Sequence, residues 1–335
     1  MTAPGTVYVP GFLVYTNHKQ KVGVFMIDLH VHLDGSLSFD MVRKLAELQY
    51  QEIYNDEKLK NKMVAPKDCQ DLNDYLTKFE YPLQLLQTKE ALELCTYELL
   101  KLQQRQGLKY SEIRFAPQLH QQKGLTQEKI VEAVLKGRQK FQSESGITMH
   151  SGIILCCMRG ADEKLNYKTV EVASEYKDKG VKLLDLAGAE ALFPTKNYKE
   201  LFRYAESLKV PYTIHAGEAD GPESIWYALE FGARRIGHGI RCTEDQELMR
   251  RLAKDQIPLE LCPTSNLNTK IFERIEDYPI PKLLEAGIKI TINTDNMTVS
   301  DTTLARELKL VQDTFHLSEE DMAGLQRNAE ESIIF

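Results

Sequence analysis

The chain has 335 residues, 42% of them hydrophobic and 27% charged, with a formal net charge of −7. Those values are ordinary for a globular protein, and the length fits one large α/β domain. The acidic balance, the absence of a long single-sign run and the absence of an apolar stretch of transmembrane length argue against nucleic-acid and membrane partners.

The apolar segment near residues 7–15 is interrupted by Pro10-Gly11, and no basic cluster precedes it, so it does not read as a signal peptide. Met26 stands directly before the first strong strand. Residues 1–25 are therefore expected to be an extension dispensable for chemistry, and 26–335 a single domain. Six cysteines without Cys-x-x-Cys spacing point to reduced, mostly buried thiols in a cytoplasmic protein.

The first strand carries His30-Val31-His32. Side chains two apart on a strand share a face, so both imidazoles can reach one metal ion. The pair sits where an apolar run (Val24 to Ile27) gives way to Asp34, Gly35 and Ser36, the carboxyl end of a buried strand. Taken alone, His-x-His equally fits two hydrogen-bonded strand histidines. Ser36 is expected to cap a helix running to about Leu48, and 51–70 reads as charged and irregular. Leu72, Tyr75, Leu76, Phe79, Leu83 and Leu86 then recur at helical spacing. Such a stripe packs on a core by default, but an insertion after the first strand lies near a barrel mouth and can wall a pocket. Another helix covers about 90–106.

A regular alternation follows. Strands are expected at 109–115, 147–156, 181–186, 211–215, 234–238, 258–262 and 288–295, with helices at 127–144, 167–179, 198–208, 222–231, 244–254, 281–286 and 303–314. With the first strand this makes eight β/α units, which predicts an α/β fold: a (β/α)8 TIM barrel with extra helices after strand 1 forming a lid over its C-terminal face.

The carboxyl strand ends carry the chemistry. Strand one offers His30 and His32, strand five His215-Ala216-Gly217-Glu218, strand six Gly237-His238-Gly239, and strand eight Asn293-Thr294-Asp295-Asn296. Strands one, five and eight converging on the axis supply three imidazoles and a carboxylate, a donor set suited to zinc. Glu218 also fits a helix N-terminal carboxylate favoured by the dipole. Glu260 fits either a residue orienting His238 from behind or a paired structural carboxylate.

These motifs, in this order, resemble the adenosine deaminase family of metal-dependent amidohydrolase-type barrels over nearly the whole chain. The resemblance rests on His30-Val31-His32-Leu33-Asp34-Gly35, Asp185-Leu186-Ala187-Gly188, His215-Ala216-Gly217-Glu218, Gly237-His238-Gly239 and Thr294-Asp295. It implies hydrolytic deamination of a small-molecule purine nucleoside, adenosine or 2′-deoxyadenosine, with one Zn²⁺ held by His30, His32, His215 and Asp295. It further implies that Glu218 donates a proton to purine N1, that His238 and Asp295 handle the attacking water, that Gly188 faces N3 and that Asp34 contacts a ribose hydroxyl. Leu72, Tyr75, Leu76 and Phe79 match the family's apolar wall over the pocket.

The chain departs from the family pattern at Asn296, where a second aspartate commonly addresses purine N7. An asparagine amide donates to N7 without first being protonated, so the departure bears on the substrate and leaves the reaction intact. Adenine or another 6-aminopurine is the main alternative substrate. Two further readings are a two-metal hydrolase and a non-catalytic purine-binding barrel. The first lacks a lysine at the end of strand four, where Lys182 lies at the wrong end, and the second is disfavoured by the intact set of ligands, acid and base.

Overall fold

The computed structural model describes residues 26–334 and, apart from them, two short strands, Thr6–Val9 and Phe12–Tyr15, which pair antiparallel. The rest of the expected extension, and Phe335, lie outside the described residues.

Strands β1 (Met26–His32), β2 (Leu108–Phe115), β3 (His150–Met158) and β4 (Val181–Ala187) form one parallel arc. Strands β5 (Thr213–Ala216), β6 (Arg235–His238), β7 (Leu259–Leu261) and β8 (Ile290–Ile292) form a second. Each strand is buried over nearly its whole length, as parallel strands covered on both faces must be. Two seams join the arcs. Leu184 bridges Tyr212 in parallel, its N–H donating to Pro211 O at 2.9 Å. Val31 bridges Asp295, with His32 N–H donating to Asp295 O and Asp295 N–H to His30 O, both at 2.7 Å. Among the described residues, eight parallel strands thus close into the expected ring.

Several of the helices that follow the strands begin with a residue whose side chain satisfies a free N–H group. Thr88 caps α5 (Lys89–Arg105), Thr126 caps α6 (Gln127–Gln142) and Asp162 caps α7 (Glu163–Tyr176). Helix α8 (Lys199–Ser207) and α9 (Pro222–Phe231) follow β4 and β5 in turn, and α10 (Gln246–Asp255), α12 (Ile280–Glu285) and α13 (Leu304–Phe315) complete the wall. The inserted stretch is more ordered than its charge suggests. Helix α2 (Asp56–Met63) lies inside 51–70, capped by Asn55 and buried through Leu59 and Met63. Helix α1 (Phe39–Leu48) starts two residues later than expected, because Ser38 accepts from Met41 N–H. Ser36 instead accepts from Met297 N–H and ties the β1 loop to the β8 loop.

The Leu72 stripe divides into α3 (Leu72–Leu76) and α4 (Glu80–Leu85), separated by a 3₁₀ turn. Tyr75 Oη hydrogen-bonds Ser300 Oγ at 2.7 Å, and Ala65 N–H donates to Val299 O at 2.8 Å. The inserted helices are thereby fastened to the loop beyond β8. Besides α2, two helices were not foreseen: α11 (Pro263–Asn268), directly after β7, and α14 (Glu319–Glu331), which carries a Ser318 capping box. The α14 side packs Ala329 and Ile333 against Ile27, Leu29 and Tyr110.

The barrel interior is polar. Arg114 of β2 reaches Asp185 of β4 and Glu260 of β7, while Arg235 of β6 reaches Glu260 and Glu112 of β2. Residues from strands that are not neighbours meet only across the axis, so these five side chains fill the centre. Burying a charge is tolerable only when it is paired in this way.

Candidate active site

At the carboxyl ends of β1, β5, β6 and β8, four buried side chains converge. His30, His215, His238 and Asp295 each offer a ligand atom within 4.8 Å of the others. His32 reaches the same point: its Nε2 lies 3.4 Å from His215 Nε2 and 3.3 Å from Asp295 Oδ1. The backbone has to bend sharply to achieve this. His238 and Asp295 sit at φ of +59° and +57°, in a left-handed region that costs a non-glycine residue about 1–2 kcal/mol. Gly237 admits the close approach of β5 and β6, since a Cβ there would lie 3.1 Å from His215 Cα and 3.2 Å from His30 Cε1.

Two of the histidines are oriented from behind. His30 Nδ1–H donates to Glu260 Oε2 at 2.9 Å, and His215 Nδ1–H donates to Asp185 Oδ2 at 2.8 Å. Against burial, which raises it, Arg114 and Arg235 hold the Glu260 carboxyl well below the usual range; His215 and Arg114 do the same for Asp185. Both partners are thus anionic acceptors, and each leaves its histidine's Nε2 as a lone pair facing the cluster. His30 Nε2 is buried without a hydrogen-bond partner and lies 3.4 Å from Asp295 Oδ1. Lone pairs facing one another in a buried cluster are unfavourable unless a cation accepts them. The donor set fits a divalent metal ion, and zinc is suited to it.

His238 is arranged differently. Its Nδ1 lies 3.2 Å from Asn266 Nδ2, an amide donor whose own Oδ1 accepts from Tyr278 Oη–H at 2.9 Å. The ring therefore carries its proton on Nε2, and burial pushes its pKa well down, keeping it neutral. That Nε2 is 3.6 Å from Glu218 Oε2, while Asn266 Nδ2 also donates to Glu218 Oε1 at 3.2 Å. Burial first, then the carboxylates of Asp295 and Glu190, push Glu218 well above the usual carboxyl range. That environment favours the protonated, proton-donating form of the Glu218 carboxyl.

The cavity over this cluster is walled on one side by Leu72, Tyr75, Leu76 and Phe79. Asp34, Gly188 and Asn296 line it on the others. Every residue that the sequence nominated thus borders the cavity or the cluster beneath it. Burial pushes the Asp34 carboxyl up to about 6. Gly35 makes room for Asn296: a Cβ there would fall 1.9 Å from Asn296 Oδ1.

One expectation changes, and several participants are new. Glu260 orients His30 instead of His238, and it is also the paired carboxylate of the alternative reading, shared with Arg114, Arg235 and Thr213. Asn266, which touches both Glu218 and His238, lies on the unforeseen α11. Its neighbour Ser265 donates to Asp295 Oδ2. The signal was available in Pro263-Thr264-Ser265-Asn266, a polar run directly beyond the carboxyl end of β7.

The sequence model of the adenosine deaminase family matches residues 26–334. The chain is 45% identical over 310 residues to an adenosine deaminase of Haemophilus ducreyi, covering 91% of this chain and 90% of that one. It is 40% identical over 304 residues to an adenosine deaminase of Enterococcus faecalis, with 90% of each covered. Among solved structures, an adenine deaminase from Arthrobacter aurescens superposes with a TM-score of 0.83 at 25% identity, covering 93% of this chain and 94% of that one. With that match running from the first strand of the barrel to its last helix, the chain belongs to the adenosine deaminase family.

Proposed function

We propose that the chain hydrolytically deaminates adenosine and 2′-deoxyadenosine to inosine and 2′-deoxyinosine, releasing ammonia. One Zn²⁺ serves the reaction, held by His30, His32, His215 and Asp295. The observation that carries this reading is the buried pair of Glu218 and His238, 3.6 Å apart, at the edge of a buried His/Asp cluster under an apolar-walled cavity. The relatives of 40–45% identity support adenosine as substrate.

When bound, the ion supplies Lewis acidity, which lowers the pKa of a water towards neutrality. The protein groups do the rest. Glu218 gives its proton to ring N1 of the purine, which makes C6 electrophilic. Asp295, held by Ser265, orients the attacking water and takes one of its protons as the oxygen bonds to C6. That proton passes to the amino nitrogen, the C6–N bond breaks with release of ammonia, and the water's second proton restores Glu218. His238 turns its Nε2–H toward the charge that develops on the attacking oxygen; its Nδ1 is already engaged by Asn266. The tautomer that suits this role is also the one that disfavours His238 as a ligand.

Recognition follows from the cavity lining. The Asn296 amide donates to N7, the Gly188 N–H faces N3, and Asp34 accepts from a ribose hydroxyl. The helices carrying Leu72, Tyr75, Leu76 and Phe79 act as a lid that excludes water, and their link through Tyr75 to Ser300 supports this. Residues 26–335 carry the activity as one domain and 1–25 are dispensable for it. A cytoplasmic location is supported by six unpaired, buried cysteines; no helix among the described residues is long and apolar enough to cross a membrane.

The test is ammonia release by the zinc-loaded protein from adenosine, 2′-deoxyadenosine and adenine in parallel. Release from the two nucleosides is expected. Release from adenine alone would keep the chemistry and reassign Asp34 and the lid. Silence on all three would overturn the reading.

A further inference from the structure

The loop that delivers Glu218 is held by one residue on its far side. Glu190 is almost wholly buried, and its carboxylate receives four consecutive backbone N–H groups. Gly217 donates to Oε1 at 2.7 Å, and Glu218, Ala219 and Asp220 donate to Oε2 at 3.0, 2.8 and 3.0 Å. Ser224 Oγ–H, in the first turn of α9, donates to Oε1 as well. Four consecutive amides aimed at one carboxylate constrain the loop's shape as well as its location. Bonds to an ionised acceptor are the strong kind, and the α9 N-terminus adds its dipole.

The clamp has a second jaw. Arg159 donates through Nη2 to His215 O at 2.6 Å and to Thr195 Oγ1 at 2.9 Å, and Thr195 Oγ1 meets Ser224 Oγ at 2.6 Å. Carbonyl and amides of the same loop are thus gripped by one cation and one anion, linked through two hydroxyls. The grip lies entirely outside the set of residues facing the cavity.

We infer that Glu190 is a positioning residue for the reaction, setting the reach of Glu218 towards the substrate ring by holding the amides of 217–220. The inference rests on the role of Glu218 proposed above. Its buried negative charge works in the same direction, helping Glu218 keep the proton it must donate.

The test compares Glu190→Gln with the parent protein, alone and in a Glu218→Gln background. Glutamine keeps the volume but turns an NH₂ group against the loop donors. Amide hydrogen exchange at 217–220 is expected to accelerate at least about tenfold in Glu190→Gln, a readout independent of turnover. Against adenosine, kcat is expected to fall about 100-fold with KM within about threefold and metal content unchanged. In the Glu218→Gln background the same substitution is expected to cost less than about threefold, because the residue acts through Glu218. Unchanged exchange, or an equal fold loss in both backgrounds, overturns the inference. If Glu190→Gln does not fold, Ser224→Ala carries the same comparison with a three- to tenfold loss of kcat. A parent protein that is silent on adenosine while Glu190→Gln still loosens the loop would count against the function reading and leave the clamp standing.

Discussion

Arg114 Nη2 donates to Glu260 Oε2 at 2.8 Å, and the same oxygen receives the His30 Nδ1–H. Through Nη1 the guanidinium also holds Asp185, the partner of His215, and it donates to Leu29 O just before His30. One side chain thus supports two proposed ligands and the strand carrying a third. Replacing Arg114 by Gln strips two buried carboxylates of their shared guanidinium, leaving Asp185 with no cationic partner but His215, and Glu260 with Arg235, with an expected stability loss of about 3–5 kcal/mol. Metal affinity should fall about 10- to 100-fold. Chelator competition on the folded fraction checks this, and unaltered affinity would show that the carboxylates orient the histidines unaided.

The ligand assignment separates His32 from His238. His32→Gln is expected to lose tight metal together with activity, whereas His238→Gln should keep the metal and lose turnover about 100-fold or more. Metal analysis after dialysis, paired with kcat, distinguishes the two. The reverse pattern would exchange their roles.

Glu218→Gln should also keep the metal while turnover falls by about 10²–10⁴-fold, because the amide cannot supply a proton. Normal turnover in this variant would remove Glu218 from the chemistry.

Gly35→Ala bears on specificity. The added methyl meets Asn296 Oδ1 and must push the side chain out of position. KM for the nucleoside is expected to rise about tenfold, with metal content preserved. An unchanged KM would detach Asn296 from substrate binding.

A last prediction concerns pH and stability. Burial pushes Glu307 from 4.5 to about 7, against the bonds it accepts from Thr264 N–H and Thr302 Oγ–H. Between those values the folded state binds a proton that the unfolded chain does not. The group's favourable contribution is therefore complete below about 4.5 and is lost as pH rises through about 7. Glu307→Gln should match the parent near pH 5 and exceed it near pH 8, by up to about 3 kcal/mol. Denaturant unfolding at the two pH values measures the gap; a constant difference would sink the argument.

The barrel was legible because parallel strands buried on both faces leave apolar runs that end abruptly in polar, chemically active residues. His30, His215, Glu218, His238 and Asp295 all stand at such ends, and local sequence suffices to locate them. Glu260 shows where that kind of reading stops. Period two tells which face of β7 it occupies but not which strand it meets across the axis, so His30 was missed as its partner. Helix α2 was obscured because only Leu59 and Met63 mark its buried side. Strand β8 ends at Ile292, short of the expected 295, because the chain turns into the left-handed region at Asp295.

The seam between β1 and Asp295 also sets an order of events. His30 and His32 leave the ribosome early, and the residue that bridges their strand leaves late. A growing chain that has completed seven strands has an open barrel and lacks one proposed ligand. On the proposed assignment, turnover requires Asp295 to have emerged and docked, and so reports a chain whose first barrel strand has already met the segment that follows its last.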